Sequence, residues 1–472
     1  MADIKSFRLI RVLGVTGTFA VVVLLAGCKG TPTQGEKASR QQAQTTASDY
    51  RPSGEKPALP SLTTNSSLGD FLRFAMLNQP SIEAVYYDWL ASIERITVAR
   101  SRPDPQLTFQ MDIQDIVTSI MPGLMMNFPG PGKLRAGAEV ASAESQAKYF
   151  AFQSAILRNA FEVKRTYYQL HFLNARIEVN QANLTLLTDL ERLARAQNQV
   201  GKVTLQDVLR AQIEQDRLKT EIANLEDSRN SLLAEFKAAL GLKADELAPP
   251  LPSNFESTTL NLTSEKLFET ALAQNTQLKS IEADLRAADA SIRLAEKARV
   301  PDSSLGLMAD VKMSPVLYRP LATMSLPIWR DKIAAQIAEA QANKRAAQAR
   351  LSAEQIALAV DFAATSFQYR EASRNLMLLN EKLLPKARQS LEVARIGYLS
   401  GQIDFFNLSD TERTLLGFQL DTVEASTQRE LSLAELSLII QGMPPAGRGM
   451  TPTRSGMTSG AAPPLKSAKG GM

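Results

Sequence analysis

The stretch "DPQLTFQMDIQD", residues 104–115, alternates apolar and polar side chains. Successive side chains of a β-strand point to opposite faces. One face of this strand carries the apolar residues Leu107, Phe109, Met111 and Ile113. The other face carries the polar residues Thr108, Gln110, Asp112 and Gln114. The alternation therefore predicts a β-strand that lies between an apolar phase and water.

A second alternating segment lies about two hundred residues further along, and each segment is followed by a weaker return strand. The second segment places Leu305, Leu307, Ala309, Val311 and Met313 against Gly306, Met308, Asp310 and Lys312. We therefore predict two hairpins, about 104–129 and 303–328. Their four strands, each of about ten residues, have the length needed to cross the hydrocarbon of a bilayer at a tilt.

Four strands cannot close into a membrane barrel, since the smallest barrels have eight, and an open edge in lipid leaves backbone groups unpaired. Several copies of the chain would have to pool their hairpins, and a trimer would supply twelve strands. The alternative is a soluble protein in which the hairpins lie with their apolar face against the helices.

The remainder of the chain is predicted to be helical and duplicated. "LGDFLRFAMLNQPSIEA" (68–84) is matched by "SEKLFETALAQNTQLKS" (264–280), which divides the chain into repeats at 67–250 and 251–442. The sequence of each repeat predicts one helix of about 30 residues, then a β-hairpin, a very long helix and a final helix. Residues 138–200 contain neither Gly nor Pro, which predicts a rod roughly 95 Å long that must pack against similar rods.

The first 27 residues have the pattern of a secretory signal peptide. Three basic residues precede an apolar run, Val12 to Ala26, that is too short to span a bilayer. The run ends in "LAGC", which resembles the lipobox of bacterial lipoproteins and predicts lipidation of Cys28. An ordinary signal followed by a chance cysteine is the alternative.

The segments outside the repeats, 28–66 and 443–472, are rich in small and polar residues. We predict that the first is a lipid-anchored linker and the second a disordered tail. Removal of the signal peptide lowers the formal charge from +4 to +2, which gives no reason to expect nucleic-acid binding. Cys28 is the only cysteine and His171 the only histidine, so we expect no enzymatic site and no cofactor.

Together these features resemble the TolC-type outer-membrane efflux factors, and the resemblance covers nearly all of the chain outside the two end segments. The segment "NFPGPGK" (127–133) is similar to the heavy-metal branch. The resemblance implies a mixed α and β membrane protein, a homotrimer with a twelve-stranded outer-membrane barrel continued by a long periplasmic α-helical barrel. It implies a passive exit duct for metal ions or small toxic compounds. Its partners would be a periplasmic adaptor (membrane fusion) protein and an inner-membrane pump of the RND type. The rival interpretation is a periplasmic helical adaptor or scaffold lipoprotein.

The two long helices are predicted to end in similar hairpin tips, "QVGKVTLQDVL" (199–209) and "LSGQIDFFNLSD" (399–410). Gly201 and Gly401 stand where a helix ends in a left-handed residue. Thr204 and Asp404 are candidate N-caps of the next helix, with Asp207 placed to complete a capping box. Plain turns would have the same chemistry, and it is the resemblance that implies adaptor docking at these tips.

Five further residues are candidates for a role in the implied duct. In the family, acidic residues one turn past the second tip line the closed periplasmic entrance, and the matching positions here are Asn407 and Asp410. Only Asp410 is acidic, so the implied carboxylate ring is halved; an isolated surface aspartate is the alternative. Pro385 predicts a kink in the second long helix, with no counterpart in the first. The alternation places Met125 and Met308 on the water-facing side of the strands, where they are either ligands for soft metal ions or ordinary hydrophobic residues.

Overall fold

A computed structural model describes residues 31–113, 117–250 and 264–441. Cys28, the signal peptide and the segment 443–472 lie outside these residues. The elements in chain order are α1 (Gln34–Tyr50), α2 (Leu68–Asn78), α3 (Pro80–Arg100), β1 (Gln106–Ile113), β2 (Val117–Phe128), α4 (Lys133–Gln199), α5 (Leu205–Ala239), α6 (Ser264–Gln274), α7 (Thr276–Glu296), β3 (Ser303–Asp310), β4 (Leu317–Met324), α8 (Arg330–Leu378), α9 (Leu384–Leu399) and α10 (Phe405–Gln441).

The long helices dominate the molecule. Helix α4 has 67 residues, and at a rise of 1.5 Å per residue it is about 100 Å long. Its equivalent in the second repeat is α8 followed by a π-helical segment, Leu379–Leu383, and then α9. Buried side chains recur along the whole length of α4, because its neighbours α3, α5, α7 and α10 pack beside it. The apolar core is therefore a series of clusters along the rods.

The helix predicted in each repeat before the hairpin is in fact two helices, so the prediction of one continuous helix near 68–100 and 264–299 was wrong. In the first repeat the break falls at Gln79, because the residue before a proline is disfavoured in the helical region and Pro80 starts the next helix. In the second repeat the buried side chain of Asn275 caps the new helix by accepting a hydrogen bond from the backbone N–H of Leu278.

The predicted linker 28–66 contains a helix, since Gln34–Tyr50 forms α1. Glu36 on this helix is only 1% exposed, and its carboxylate accepts hydrogen bonds from the side chains of Arg40, Thr97 and Arg100. Burial alone would raise the pKa of Glu36, but these hydrogen bonds outweigh it and lower the pKa to about 2. At its other end, Tyr50 packs edge-on against Tyr86 and Phe152. Helix α1 is thus held against α3 at both ends and against α4 at Tyr50.

The four strands form one antiparallel sheet in the order β1-β2-β3-β4. Strand β2 joins the two hairpins by pairing with β3, where Phe128 lies opposite Ser303. Strands β1 and β4 are the two edges of this sheet in the single chain. The predicted hairpins are present, but β3 ends at Asp310 and β4 at Met324, so Val311, Met313 and Leu326 lie outside the strands.

Candidate functional site

The two faces of the sheet differ sharply in chemistry, as the alternation predicted. Residues directly opposite one another on neighbouring strands share a face, and the row Thr108, Gly123, Met308 and Arg319 defines the polar face. The other polar members of this face are Gln106, Gln110, Asp112, Ser119, Asn127, Ser304, Asp310 and Thr323, and its apolar members, besides Met308, are Met121, Met125, Leu317 and Leu321. The row Leu107, Leu124, Leu307 and Pro320 defines the apolar face, to which Phe109, Met111, Ile120, Met126, Phe128, Leu305, Ala309, Tyr318, Ala322 and Met324 also belong.

Large apolar side chains of the apolar face are uncovered within one chain. Leu107 is 83% exposed, and Phe109 and Leu305 are also more than half exposed. A contiguous apolar surface of this kind on a protein marks contact with lipid or with another protein. The unpaired edges β1 and β4 point to the same conclusion, since each leaves a row of backbone hydrogen-bonding groups without a strand partner in the single chain.

One residue of the polar face departs from the expectation. Asp310 was expected to face water, but in the single chain it is only 2% exposed. Its carboxylate accepts a hydrogen bond from the Ser119 hydroxyl at 2.7 Å and another from the backbone N–H of Lys312 at 3.2 Å. Asp310 therefore fastens the end of β3 to β2. Met125 and Met308 lie on the polar face as predicted, and Met308 packs over Gly123, where a β-carbon would come within 2.5 Å of its side chain.

Both helical tips have the local geometry that the sequence indicated. Gly201 and Gly401 have the same positive φ of 75°, a conformation that costs glycine little. Each ends its helix with the six-residue backbone hydrogen bond of a Schellman motif, from Lys202 N to Gln197 O and from Gln402 N to Gly397 O. At the second tip the Asp404 side chain caps α10 by accepting a hydrogen bond from the Asn407 N–H at 2.9 Å. At the first tip the Asp207 carboxylate accepts from the Thr204 N–H at 3.3 Å.

The two tips pack against each other around one apolar cluster. Tyr398, Phe405 and Leu408 from the second tip are buried against residues of α4 and α5, namely Leu190, Ala194, Val208 and Ala211. The two helical hairpins therefore form one structural unit at their tips. Asn407 and Asp410 lie on the exposed side of α10.

The structure also reveals a buried acid near the tips that sequence reasoning missed. Glu412 is only 1% exposed and continues the buried stripe formed on α10 by Phe405, Leu408 and Leu415. Burial raises the pKa of Glu412 to about 7; Glu214 on α5 adds to the rise, and Arg413 opposes it. The spacing of three and four residues within an apolar stripe was a legible signal that this glutamate points inward.

The second long helix is irregular just before Pro385. The π-helical segment Leu379–Leu383 precedes it, and Pro385 falls in the first turn of α9. Because proline has no N–H, it cannot donate the hydrogen bond of a continuous α-helix, and a π-helical turn is one way to accommodate the lost bond. Helix α4 has no such interruption along its length.

Within the described residues no cluster of His, Cys, Asp or Glu has the arrangement of a metal site. His171 lies in the middle of α4 beside Phe172, at 5.1 Å between ring centroids, and burial lowers its pKa. In the part of the chain that the structure covers, no helix combines the length and the apolar character needed to cross a membrane.

A family model described as outer membrane efflux protein matches residues 73–242 and 267–441. The cobalt-zinc-cadmium resistance protein CzcC of Cupriavidus metallidurans is 22% identical over 276 residues, which cover 56% of this chain and 65% of that protein. The probable outer membrane lipoprotein SilC of Salmonella typhimurium is 25% identical over 311 residues, which cover 62% of each chain. The chain thus spans less than two thirds of the length of either relative.

Two solved structures show the fold. The outer-membrane channel OprN superposes with a TM-score of 0.71 and 18% identity, over 82% of this chain and 95% of that one. CusC, whose structures describe folding and transmembrane channel formation, superposes with a TM-score of 0.70 and 14% identity, over 82% of this chain and 98% of that one. The described sheet and helical rods therefore have the architecture of these channels.

Proposed function

Because the chain belongs to the outer membrane efflux protein family, we propose that it is the outer-membrane channel of a tripartite efflux system. In this role it is a passive exit duct, lipid-anchored through Cys28 and extending into the periplasm. The cargo is delivered by an inner-membrane pump, of the RND type in the heavy-metal branch, through a periplasmic adaptor. The channel itself has no catalytic step and needs no cofactor.

The observation that carries this proposal is the four-stranded sheet with two unlike faces and two open edges. An open edge is not tolerated in lipid, and the exposed apolar face requires a non-aqueous neighbour. Both requirements are met when three chains join β1 of one protomer to β4 of the next. The resulting twelve-stranded barrel directs the apolar face to hydrocarbon and the polar face to a water-filled lumen.

The helical tips are the proposed docking site for the adaptor. Gly201, Thr204 and Asp207 fix the first tip, and Gly401 and Asp404 fix the second. Because the two tips share one apolar cluster, an adaptor that binds one tip also acts on the other. In a threefold assembly Asn407 and Asp410 surround the periplasmic entrance, where three Asp410 carboxylates favour cations over anions.

Heavy-metal ions are the proposed substrate class. The name of one relative supports this choice, since it is a cobalt-zinc-cadmium resistance protein. A wide aqueous duct selects weakly among solutes, so the pump rather than the channel sets the cargo. A deletion strain tested against cobalt, zinc, cadmium, copper, silver and lipophilic drugs separates metal export from drug export. Restored metal tolerance on complementation is the expected result, and a defect limited to lipophilic drugs would contradict the metal assignment.

The rival function, a periplasmic adaptor or scaffold lipoprotein, makes different physical predictions. The channel should be an integral outer-membrane trimer that dissociates only on heating in detergent and conducts ions in a planar bilayer. A scaffold should be extractable with salt and should conduct nothing. Purified protein that is a stable, detergent-free monomer would overturn the channel proposal.

A further inference from the structure

Paired cations flank all four strands, and they do so on the side of the sheet that adjoins the helices. In the first repeat one pair precedes β1 and one follows β2; in the second repeat one pair precedes β3 and one follows β4. We call these eight residues the basic belt: Arg100, Arg102, Lys133, Arg135, Lys297, Arg299, Arg330 and Lys332. The two members of every pair are separated by one residue, and each belt residue of the second repeat follows its counterpart by 197 positions.

The belt lies at one rim of the sheet. Three of the strand ends nearest to it are paired directly, since Ser303 lies opposite both Phe128 and Met324, and Gln106 lies opposite Met125 three rows further along the sheet. The chain reverses direction at the opposite ends of the strands, between Ile113 and Val117 and between Asp310 and Leu317. A row of basic residues therefore lies along the helix-proximal rim of the sheet, and within the strands Arg319 is the only basic residue.

Intramolecular ion pairs do not neutralise the belt. The four segments 100–104, 133–135, 296–302 and 330–332 contain eight basic and four acidic residues, and with Glu36 and Glu139, which pair with belt residues, the net charge is +2 per chain. Lys133 pairs with Asp302 at 2.7 Å, Arg135 pairs with Glu139, and Arg100 pairs with Glu36. The other five belt residues have no carboxylate within 4 Å among the described residues: Arg102, Lys297, Arg299, Arg330 and Lys332.

Exposed apolar side chains stand next to the cations at the same rim. Ile328 is 67% exposed and Trp329 is 73% exposed, and both directly precede Arg330 in the chain. The guanidinium of Arg102 lies 5.8 Å from the centre of the Phe128 ring. Aromatic and basic side chains together are typical of the level at which lipid headgroups meet hydrocarbon.

A groove beside the belt is suited to a phosphate-bearing headgroup. It has a volume of about 650 Å³ and lies between residues 31–35 and helices α4 and α7. Four arginines line it, namely Arg100, Arg135, Arg286 and Arg293. Glu139 pairs with both Arg135 and Arg293, Arg100 pairs with Glu36, and Arg286 donates a hydrogen bond to Gln146, so the four arginines exceed their carboxylate partners by two charges. Thr31 is three positions after Cys28, and three residues span at most about 11 Å, so acyl chains on Cys28 would enter the membrane at this level.

We propose that the basic belt and its arginine groove bind the phosphates of anionic phospholipids in the periplasmic leaflet of the outer membrane. This inference rests on the proposed function, which sets the apolar face of the sheet in that membrane. The charge of the belt supplies the attraction, and the adjoining apolar face holds the acyl chains. Bound lipid then fixes the depth of the barrel, because the belt sits at the same level in both repeats.

The test compares lipid retention by the purified trimer and by charge variants. The belt variant is Arg102→Gln with Arg299→Gln, two exposed residues at equivalent positions of the repeats. A second belt variant, Arg299→Gln with Lys332→Gln, guards against misfolding of the first. The matched control is Arg388→Gln with Arg395→Gln, two exposed arginines on α9, about 85 Å or more along the helices from the belt.

Trimers are incubated with vesicles of phosphatidylethanolamine with or without phosphatidylglycerol, and retained lipids are counted by native mass spectrometry. The wild type and the control are expected to retain phosphatidylglycerol preferentially. Each removed cation is expected to weaken this retention about fivefold. Equal retention of phosphatidylglycerol by wild type and both belt variants would overturn the proposal.

Two further arms separate the possible failures. In the first arm the melting temperature of the trimer is measured with phosphatidylglycerol and, separately, with inorganic phosphate. An equal increase with both would make the belt a site for free anions and would overturn the lipid proposal. Conductance in planar bilayers is measured on the same preparations. Normal conductance without lipid preference rejects the belt proposal alone, whereas absence of conductance in the wild type rejects the proposed function.

Discussion

Replacing Glu412 with glutamine is expected to stabilise the protein in alkaline solution. Glu412 lies in the buried stripe of α10, and its Oε1 atom accepts no hydrogen bond from the described residues. An ionised carboxylate in such a place has lost its hydration without gaining a partner. Glutamine has nearly the same shape and carries no charge, so it fits wherever the protonated glutamic acid fits.

The magnitude follows from the pKa. Folding raises the pKa of Glu412 from 4.5 to about 7, so the protonated form is favoured in the folded state. The associated stability is fully present below pH 4.5 and is lost as the pH rises through about 7. A difference of that size corresponds to about 3 kcal/mol per protomer between pH 4 and pH 8. The Glu412→Gln variant should not lose this contribution, and its advantage should therefore grow between pH 4.5 and about 7 and be complete above pH 7.

Thermal unfolding followed by the helical circular dichroism signal, at pH 5 and pH 8, measures the effect. We expect the melting temperature of the wild type to fall between these pH values by several degrees more than that of the variant. Glu392→Gln, which removes an exposed glutamate from α9, controls for the change in net charge. Parallel pH profiles for the wild type and Glu412→Gln would refute the reasoning, since they would show that Glu412 does not titrate in this interval.

Three further outcomes follow from the structure. Gly401→Ala should destabilise the second tip by about 1 kcal/mol because the φ of Gly401 is 75°. The control Gly417→Ala lies in an uncrowded helical position and should stabilise the protein by a similar amount. Melting temperatures that change in the same direction for both variants would contradict this. Phe109→Lys on the apolar face should cost about 2–4 kcal/mol at the bilayer centre and reduce the yield of heat-modifiable trimer, while Gln110→Lys on the polar face should assemble normally, and equal yields would contradict the assignment of faces. Asp410→Ala should increase single-channel conductance or leak, and unchanged conductance together with unchanged drug leakage would remove Asp410 from the entrance.

The sheet was predictable from the sequence because its cause is local. A period of two assigns every side chain to a face, and the register pairs Leu107 with Leu124 and Leu124 with Leu307, all of them apolar. The ends of the strands were less predictable. Val311 continues the apolar alternation beyond β3 in the sequence, but the backbone turns at Asp310, whose carboxylate bonds to Ser119 almost two hundred residues away.

Features that depend on distant partners were missed because their cause is not local in the sequence. The composition of residues 28–66 favours disorder, yet α1 is held by the contact of Glu36 with Arg100 on another helix. The sequence near Glu36 does not indicate that Arg100 will be its partner. The tip glycines were predictable because a left-handed residue at a helix end is a local requirement, and their docking role stays a prediction because it depends on a surface of another protein.

The two repeats are equivalent in the sheet and unequal in the rods, and this difference indicates where the proposed duct can change shape. Counterparts around the strands differ by 197 positions, as Lys133 and Arg330 do, whereas the tip glycines Gly201 and Gly401 differ by 200. The second rod therefore contains three extra residues, and three residues are not a whole helical turn of 3.6. A rod with such an insertion cannot keep the same side toward its neighbours along its whole length unless its winding changes. The π-helical segment before Pro385 is a change of winding within this rod, and it lies between the sheet and the tip that carries Asn407 and Asp410. A repeat whose winding is already interrupted requires less distortion to move its tip than the continuous helix α4 would, and this favours the second repeat as the moving part of the entrance.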